Sequence, residues 1–482
     1  MDDLKTKLAK GFFWSSLDFI SSQGIQLLIQ VILARLLFPK DFGLIGMITI
    51  FIAVSNWLVD CGFSQALIRE KNCSQKDYST IFYFNLIMSC VTYLIIYFIA
   101  PFVSAFFKSP EIKLILQIIS LVIIINAFGL IQRTILIKKI NFKALTKINM
   151  ISSISSGFIA VSFAYIGLGV WSLVIRTLVM QFFVTSMLFF TVKWKPSFDF
   201  CWISFKKLIR FSSKILIAGL LNTIYENIYF VIIGRIYNTS ELGYFSNSKK
   251  LSDISFQFVS LPVQRVSYPV FSNLKEDEKK LKNNFIKTIK LSAYVNFFIM
   301  VFLLAASDNI IPLIFGDKWI PSIPFFKILC VAGMLHPIHL INLNILQVKG
   351  RSDLFLKLEI LKKIFFTILI IIILLLKLNI YYLIWAYAVN SFVSLYINTI
   401  YSKNIIQFSF KEQIIGILPF FIVSIIMGLL VYFLGIIIPF EIHYKIFLQI
   451  IIGIGIYYIF SKLLKFEELN ILIRNIKKVI RK

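Results

Sequence analysis

Polar and ionisable side chains recur at helical spacing inside two otherwise apolar stretches of this 482-residue sequence. In "FFWSSLDFISSQGIQLLIQVILAR", steps of three and four residues place five of them on one helical face: Ser15, Asp18, Ser22, Gln26 and Gln30. In "SSKILIAGLLNTIYENIYFVIIGR", Asn222, Glu226 and Tyr229 share a face in the same way. Amides and hydroxyls bond hydroxyl-rich ligands, and an intramembrane carboxylate can bind a proton or a cation. The two stripes therefore predict a polar cavity with two candidate residues for binding a coupling proton or cation, Asp18 and Glu226.

Four further charges lie within apolar stretches: Arg176, and Lys249, Lys250 and Asp253 of "YFSNSKKLSDISFQF". A charge in hydrocarbon costs roughly 2.5 to 3.5 kcal/mol or more, so these side chains are expected to face a wet interior or to pair with one another. The first alternative predicts a cavity of cationic character that binds an anionic ligand. The second predicts ion pairs that only hold helices together, namely Lys249 with Asp253 and Glu226 with Arg176.

The surrounding elements are those of an all-α integral membrane protein. Hydrophobic residues make up 59% of the chain, and its mean hydropathy is +0.85. Long apolar runs predict about fourteen transmembrane helices. They lie near 12–34, 42–60, 80–106, 112–132, 148–167, 170–192, 214–234, 242–262, 288–308, 323–346, 361–377, 381–401, 412–436 and 443–461. The first run lacks a cleavage site and carries polar residues, so we expect it to remain in the mature protein.

The net charge of +27 has a topological origin. Roughly 38 of the 50 Lys and Arg fall in alternate loops and the two termini, which is the positive-inside asymmetry. This distribution predicts cytoplasmic termini and no nucleic-acid partner. The five cysteines offer no disulfide framework. His336 and His339 flank Pro337 without an acidic or Cys neighbour, which favours helix packing over a metal site.

A short motif occurs twice at an offset of 200 residues, as "LARLLFPKDFG" and as "IGRIYNTSELG". Its equivalent positions are Arg35, Asp41 and Gly43 in the first copy, and Arg235, Glu241 and Gly243 in the second. Each copy ends one apolar run and opens the next, which predicts a tight outer turn between two helices. We interpret the arginines as turn residues that bond last-turn carbonyls or the nearby acid, with ligand binding as the alternative.

Six predicted helices separate the two motif copies, so the second half enters the membrane in the same orientation as the first. This predicts two parallel six-helix repeats as lobes around a central cavity. At the same offset Ser22 falls on Asn222 and Gln26 on Glu226, so the two stripes can face each other. The expected divisions are 1–213, 214–402, two extra helices in 403–461, and a basic amphipathic tail over 462–482 on the inner membrane surface.

An ordered set of motifs carries a family resemblance: "LARLLFPKDFGLIGM", "VDCGFSQALIREK", "LGVWSLV", "VQRVSYPVFSNLKED", "IFGDKWIPSIPFFKIL" and "LQVKGRSDLFLK". Between about Lys5 and Lys403 the chain resembles Wzx-type flippases, the polysaccharide transporter branch of the multidrug/oligosaccharidyl-lipid/polysaccharide exporter superfamily. The resemblance implies alternating access through a cationic cavity. It also implies the flipping of an undecaprenyl-diphosphate-linked oligosaccharide to the outer leaflet of a bacterial cytoplasmic membrane, alongside a polysaccharide polymerase and chain-length proteins.

Two other functions remain open at this point. A cation-coupled drug antiporter of the same superfamily would share the lobes, although such proteins usually have twelve helices and a more apolar pocket. A membrane polymerase or lipid-dependent glycosyltransferase would need a substantial catalytic loop, and the longest outer segment, "SDNIIPLIFGDKWIPSIP", is short. The sequence contains no nucleotide-binding loop or nucleophile motif. We therefore expect a transporter without a cofactor or a metal, and not an enzyme.

Overall fold

Helices form the whole of the regular structure in the part of the chain that the computed structural model describes, residues 21–70 and 72–480. No strand occurs among these residues. Helices satisfy their backbone hydrogen bonds within one segment, which is what a hydrocarbon environment requires of a spanning element. The predicted all-α membrane fold is confirmed.

The chain divides into two compact units, Met1–Ser246 and Asn247–Lys482. The first unit holds the helices α1 (21–36), α2 (Pro39–Asp60), α3 (Phe63–Arg69), α4 (Gln75–Phe106), α5 (Glu111–Ile119), α6 (Leu121–Lys138), α7 (Phe142–Tyr165), α8 (Val170–Thr191) and α9 (Trp202–Ile236). Helix α10 (Thr239–Asn273) begins in the first unit and continues into the second. The division between these compact units follows Ser246. The lobe boundary expected after residue 213 stays a prediction.

The second unit contains the remaining helices, which are again named in chain order. They are α11 (Glu278–Ala305), α12 (Ser307–Phe315), a 3₁₀ turn (Asp317–Ser322), α13 (Ile323–Gly333), α14 (His336–Val348), α15 (Ser352–Leu375), α16 (Ile380–Ile406), α17 (Phe410–Ile437), α18 (Ile442–Leu463) and α19 (Glu467–Ile480). The predicted amphipathic tail falls on α19. Just before α19, the Phe466 ring packs edge-on against Phe420 of α17, with 4.8 Å between centroids. The tail is thereby attached to the second unit at its start.

Eleven helical segments of the described chain are long and apolar enough to cross a membrane. They correspond to eleven of the fourteen predicted runs. The other three are the first run, which is described only from residue 21, and the runs in α10 and α15, two helices that carry several charged residues. The total of fourteen transmembrane helices stays a prediction.

Helix α9 begins twelve residues before the apolar run predicted at 214–234. The added segment is amphipathic: Phe205 and Leu208 face the protein, while Lys206, Lys207 and Arg210 are exposed. The Phe205 ring packs against Phe63 and Phe84, with centroid distances of 5.8 and 5.1 Å. Burial of this apolar face on α3 and α4 explains why the helix extends beyond the hydrophobic run.

The last two long helices, α17 and α18, are fixed to the rest of the second unit by buried polar contacts. Gln413 of α17 and Asn342 of α14 exchange side-chain hydrogen bonds of 3.1 and 3.2 Å. In α18, the Tyr457 hydroxyl donates to the backbone oxygen of Tyr294 at 2.7 Å. Polar contacts of this kind hold helices together in lipid, where the hydrophobic effect between helices is absent.

Candidate functional site

The two motif copies form matching two-residue turns, one between α1 and α2 and one between α9 and α10. In the first, the Asp41 carboxylate accepts a hydrogen bond from the Phe38 backbone N–H at 2.9 Å. In the second, the Glu241 carboxylate accepts from the Asn238 N–H at 3.4 Å. Each acid therefore lies in the first turn of the second helix and reaches back to its cap residue, where a negative charge also complements the helix dipole.

The arginines of the motif end α1 and α9 and are both exposed. The Arg235 guanidinium lies over the Phe106 ring of α4, 5.1 Å from its centroid. This cation–π contact joins the end of α9 to α4 within the first unit. It was not foreseen from the sequence, because Phe106 is more than a hundred residues away.

The glycines of the motif lie where α2 and α10 cross, and each one contacts the other copy. A Cβ atom at Gly43 would lie 1.8 Å from the backbone oxygen of Thr239, and one at Gly243 would lie 1.9 Å from that of Pro39. Both contacts involve backbone atoms, so no side-chain rotation could relieve them. Only glycine at both positions allows the two helix N-termini to approach this closely.

The predicted polar stripes fall on α1 and α9, both in the first unit. Asp18 and Ser15 lie outside the described residues, while Ser22 and Gln26 are half-buried on α1. On α9, Asn222 and Glu226 are exposed, and no hydrogen bond or ion pair to the rest of the described chain is formed by Glu226. Tyr229 is buried, with its ring stacked on Phe245 at 5.8 Å. The α9 stripe thus combines two accessible polar groups with one packed aromatic ring.

The four further charges predicted within apolar stretches differ in whether they form an ion pair. Lys249 and Asp253 of α10 form an ion pair of 2.9 Å, and the Lys249 ammonium also lies 5.4 Å from the centre of the Tyr387 ring. Lys250 is half-buried beside this pair. Arg176 is half-buried on α8, and within the described chain it makes no ion pair with Glu226. Only the first of the two predicted ion pairs is therefore formed.

Sequence reasoning missed a polar network inside the first unit. The Asn126 amide of α6 donates to Asn56 of α2 at 3.0 Å and accepts from Gln181 of α8 at 3.1 Å. Gln181 also donates to Thr185 at 3.2 Å, within α8. The sequence signal for this network was the presence of side-chain amides within three predicted spans. Such groups require hydrogen-bond partners in hydrocarbon.

A second missed feature is a cavity of about 390 Å³ at the end of α6, with Lys138, Lys139, Cys73 and Tyr78 among its lining residues. The Lys138 ammonium donates to the backbone oxygen of Glu70 at 2.6 Å and contacts the Cys73 sulfur at 2.9 Å. It thereby binds carbonyls at the end of α3, a favourable position for a cation. The Cys73 sulfur is thus in contact with a charged group.

The third feature is a break in the span Asp317–Val348, which is divided between α13 and α14. Gly333 ends α13, and Pro337 lies in the first turn of α14. His336 and His339, which the sequence assigned to helix packing, immediately follow this break. Interrupted transmembrane helices are a common position for ion and substrate sites in transporters.

Comparison with known proteins gives a family and a fold. A sequence profile for the family described as "Polysaccharide biosynthesis protein" matches residues 32–324. The chain is 24% identical to the teichuronic acid biosynthesis protein TuaB of Bacillus subtilis, over 73% of this chain and 74% of TuaB. It is also 24% identical to the lipopolysaccharide biosynthesis protein WzxC of Escherichia coli, over 77% of this chain and 75% of WzxC.

Among solved structures, the chain is similar to the lipid II flippase MurJ in its inward closed conformation, with a TM-score of 0.74 and 16% identity. This likeness covers 93% of the chain and 98% of MurJ. An inward-facing multidrug transporter of the MATE family matches with a TM-score of 0.63 and 14% identity, over 80% of this chain and 94% of that one. At these identities the likeness establishes the fold that these transporters share.

Proposed function

Because the chain belongs to the polysaccharide biosynthesis protein family, we propose that it flips a lipid-linked oligosaccharide from the cytoplasmic to the outer leaflet of the bacterial cytoplasmic membrane. Family membership is the observation that carries this proposal, and it agrees with the Wzx-type resemblance of the motifs. The substrate is an undecaprenyl-diphosphate-linked repeat unit, and the protein exposes it to each side of the membrane in turn. A polysaccharide polymerase and chain-length proteins would act on the product.

The chemistry of such a substrate explains the polar groups inside an apolar chain. A diphosphate and a sugar chain would lose their hydration in hydrocarbon, whereas a polyprenyl tail can remain in lipid. In the proposed cavity, Arg176, Lys249 and Lys250 compensate the phosphate charge. Ser22, Gln26, Asn222 and Tyr229 bond sugar hydroxyls, and Asp18 or Glu226 binds the coupling ion. Asp253 keeps Lys249 in position through the observed ion pair.

Deletion of the gene tests the proposal. We expect lipid-linked repeat units to accumulate with their sugars facing the cytoplasm, because their synthesis continues while their translocation stops. Protection of these sugars from a membrane-impermeant glycosidase in spheroplasts measures the orientation, and radiolabelled sugar incorporation in membrane extracts measures the synthesis. Loss of synthesis would instead indicate an enzyme, and unchanged orientation would contradict a flippase.

The same proposal includes a membrane orientation, supported by the charge asymmetry of the loops. Reporter fusions within 133–147, at Lys279 and at the C-terminus should all report the cytoplasm, while a fusion at Asn238 in the second motif turn should report the outside. The repeats are parallel only if an even number of helices separates them, and six are predicted. The reporter result therefore tests their orientation. A fusion at Lys279 that reports the outside would contradict it.

A further inference from the structure

The break between α13 and α14 exposes backbone carbonyls in the middle of a membrane span. The span Asp317–Val348 has 32 residues, and the break at Met334 and Leu335 falls near its centre. Carbonyl oxygens freed there cannot be left without partners in hydrocarbon. The question is which groups satisfy them and which groups remain unsatisfied.

Side chains from two other helices donate hydrogen bonds to the freed carbonyl oxygens. The Asn296 amide of α11 donates to the backbone oxygens of Gly333 and Met334 at 3.0 and 2.7 Å. The Ser391 hydroxyl of α16 donates to the backbone oxygen of Ala332 at 2.9 Å. Each of these three acceptors therefore has a donor in the described chain.

Two acceptor atoms beside the break have no hydrogen-bond partner in the described chain, Oδ1 of Asn296 and Nδ1 of His339, and both are buried. An unsatisfied buried acceptor is costly, so it calls for an explanation. What both atoms lack is a donor. At His339 a bound proton would remove the unpaired acceptor, because protonation turns an accepting ring nitrogen into a donating one.

The hydrogen bonds assign the tautomer of His339. Its Nε2 lies 3.1 Å from the Ser391 oxygen. Since the single proton of Ser391 is directed to Ala332, Ser391 must accept from Nε2–H of the imidazole. Nε2 therefore carries the proton, and Nδ1 has a free lone pair. In this conformation His339 is neutral, because an imidazolium would bury a charge and a second N–H without an acceptor.

His336, one turn earlier on α14, connects the same helix to α10. Its Nδ1 lies 3.1 Å from the Ser260 hydroxyl, and its ring stacks on Phe256 with 4.1 Å between centroids. The two histidines thus hold α14 against α10 and α16. Rearrangement of these contacts is what would admit water to His339.

Charged and titratable groups surround the two histidines on the neighbouring helices of the second unit. Helix α10 carries the pair Lys249–Asp253, with a distance of 2.9 Å, and α15 carries Glu359–Lys362, with a distance of 2.5 Å. Helix α16 contributes Tyr387 beside Lys249, and α11 contributes the uncharged Asn296. Lys249 and Lys362 each belong to an ion pair, so neither adds an unpaired positive charge near the histidines.

We propose that His339, assisted by His336, is the binding site of the coupling proton. The site is empty in the conformation described here and takes up a proton when α14 separates from α16 and water reaches Nδ1. Proton binding then favours the rearranged conformation, so acidification lowers the population of the present one. The role in coupling rests on the proposed transport function, and it adds a proton-binding group in the second unit to the candidate carboxylates Asp18 and Glu226.

The chain contains only three histidines, which makes the site directly observable. In full-length protein labelled with ¹⁵N-histidine and reconstituted in nanodiscs, we expect His339 to show a protonated Nε2 and a bare Nδ1 at neutral pH. His443 is exposed near the start of α18 and provides the internal reference. An imidazolium at His339, or a proton on Nδ1, at neutral pH would overturn the proposal.

Amide hydrogen exchange of residues 336–348 measures the conformational consequence. After correction for the intrinsic effect of pH on exchange, lowering the pH from about 8 to 5 should reduce protection in the wild type about tenfold or more, as expected if protonation shifts a two-state equilibrium. The His339→Gln variant is neutral at every pH and should lose this dependence, whereas the His443→Gln control should retain it. An unchanged dependence in His339→Gln would overturn the proposal.

Transport assays separate the failure of this inference from the failure of the proposed function. If the wild type and His339→Gln flip lipid-linked oligosaccharide equally and independently of a pH gradient, the proton site is wrong and the flippase remains. If the pH-dependent exchange requires His339 but no such substrate is moved, the proton site remains and the proposed function fails. Replacement of Na⁺ by K⁺ should leave both measurements unchanged, and a Na⁺ requirement that persists in His339→Gln would overturn the assignment of a proton.

Discussion

Replacing Gly43 by alanine should destabilise the folded protein by roughly 3 kcal/mol or more, the upper range for overpacking at a close contact. The new methyl group would lie 1.8 Å from the backbone oxygen of Thr239 and 2.8 Å from its carbonyl carbon. Helices α2 and α10 would therefore have to separate at their crossing. Thermal unfolding of purified protein in detergent, followed by fluorescence-detected chromatography, measures the effect, and Gly243→Ala should behave alike.

Two controls isolate the effect of the helix crossing. At Gly24 in α1 and Gly455 in α18, an added Cβ would meet no atom within 4 Å, so alanine there should be neutral or should stabilise the helix. The Gly43→Ala/Gly243→Ala double variant should lose much less than the sum of the single losses. Once the first substitution has separated the helices, the second methyl group meets less resistance. Unchanged stability of either single variant would contradict the close backbone contact.

Replacing Glu226 by glutamine should reduce transport about tenfold or more, with normal insertion and unfolding temperature. The substitution preserves size and hydrogen bonding but removes the negative charge that a coupling or cation-binding role requires. If Glu226 only bonds sugar hydroxyls, the loss should be partial. Glu441→Gln, at an exposed residue between α17 and α18, is the matched control. Transport of lipid-linked oligosaccharide in inverted membrane vesicles measures the difference.

The cationic side chains assigned to substrate binding, Lys249 and Lys250, can be tested independently. Changing Lys249 and Lys250 together to glutamine should weaken binding of an anionic head group by about 1.5 to 3 kcal/mol per lost charged hydrogen bond, which corresponds to roughly 10- to 100-fold. Asp253→Asn breaks the same ion pair but keeps both lysines, so it should leave head-group binding largely intact. Equal losses in the two variants would mean that the pair is structural. Normal transport in Glu226→Gln and in the double lysine variant would show that the proposed cavity is misplaced.

The sequence predicted the motif turns correctly in outline, but it could not explain their glycines. Helix ends are local features, and the Arg, the acid and the Gly at matching positions are sufficient to locate two hairpins. The contact between Gly43 and Thr239 is tertiary, and no property of either residue alone indicates it. The early start of α9 was not predicted for a similar reason. The Phe205 ring stabilises this part of the helix by packing against Phe63 and Phe84, which are distant in the sequence.

The histidines show the same limit for a functional site. In the sequence, His336 and His339 have no acidic or Cys neighbour, so a search for metal ligands passes over them. Their partners are serines on other helices, Ser260 and Ser391, and serine is too common in this chain to serve as a signal. The visible clue was Pro337, which lies four residues after Gly333 and between His336 and His339 in mid-span and marks an interrupted helix.

The contacts of Gly43 and Gly243 at the crossing of α2 and α10 are symmetric. An offset of 200 residues carries Gly43 onto Gly243 and Pro39 onto Thr239, so the two contacts are one contact repeated with the partners exchanged. Such reciprocity defines an isologous interface, the type formed by homodimers with two-fold symmetry. Within the first unit, the two copies of the motif therefore pack against each other as the subunits of a symmetric dimer do, but they belong to one chain. Its copies are therefore free to differ, and they do, with proline and aspartate in one and threonine and glutamate in the other.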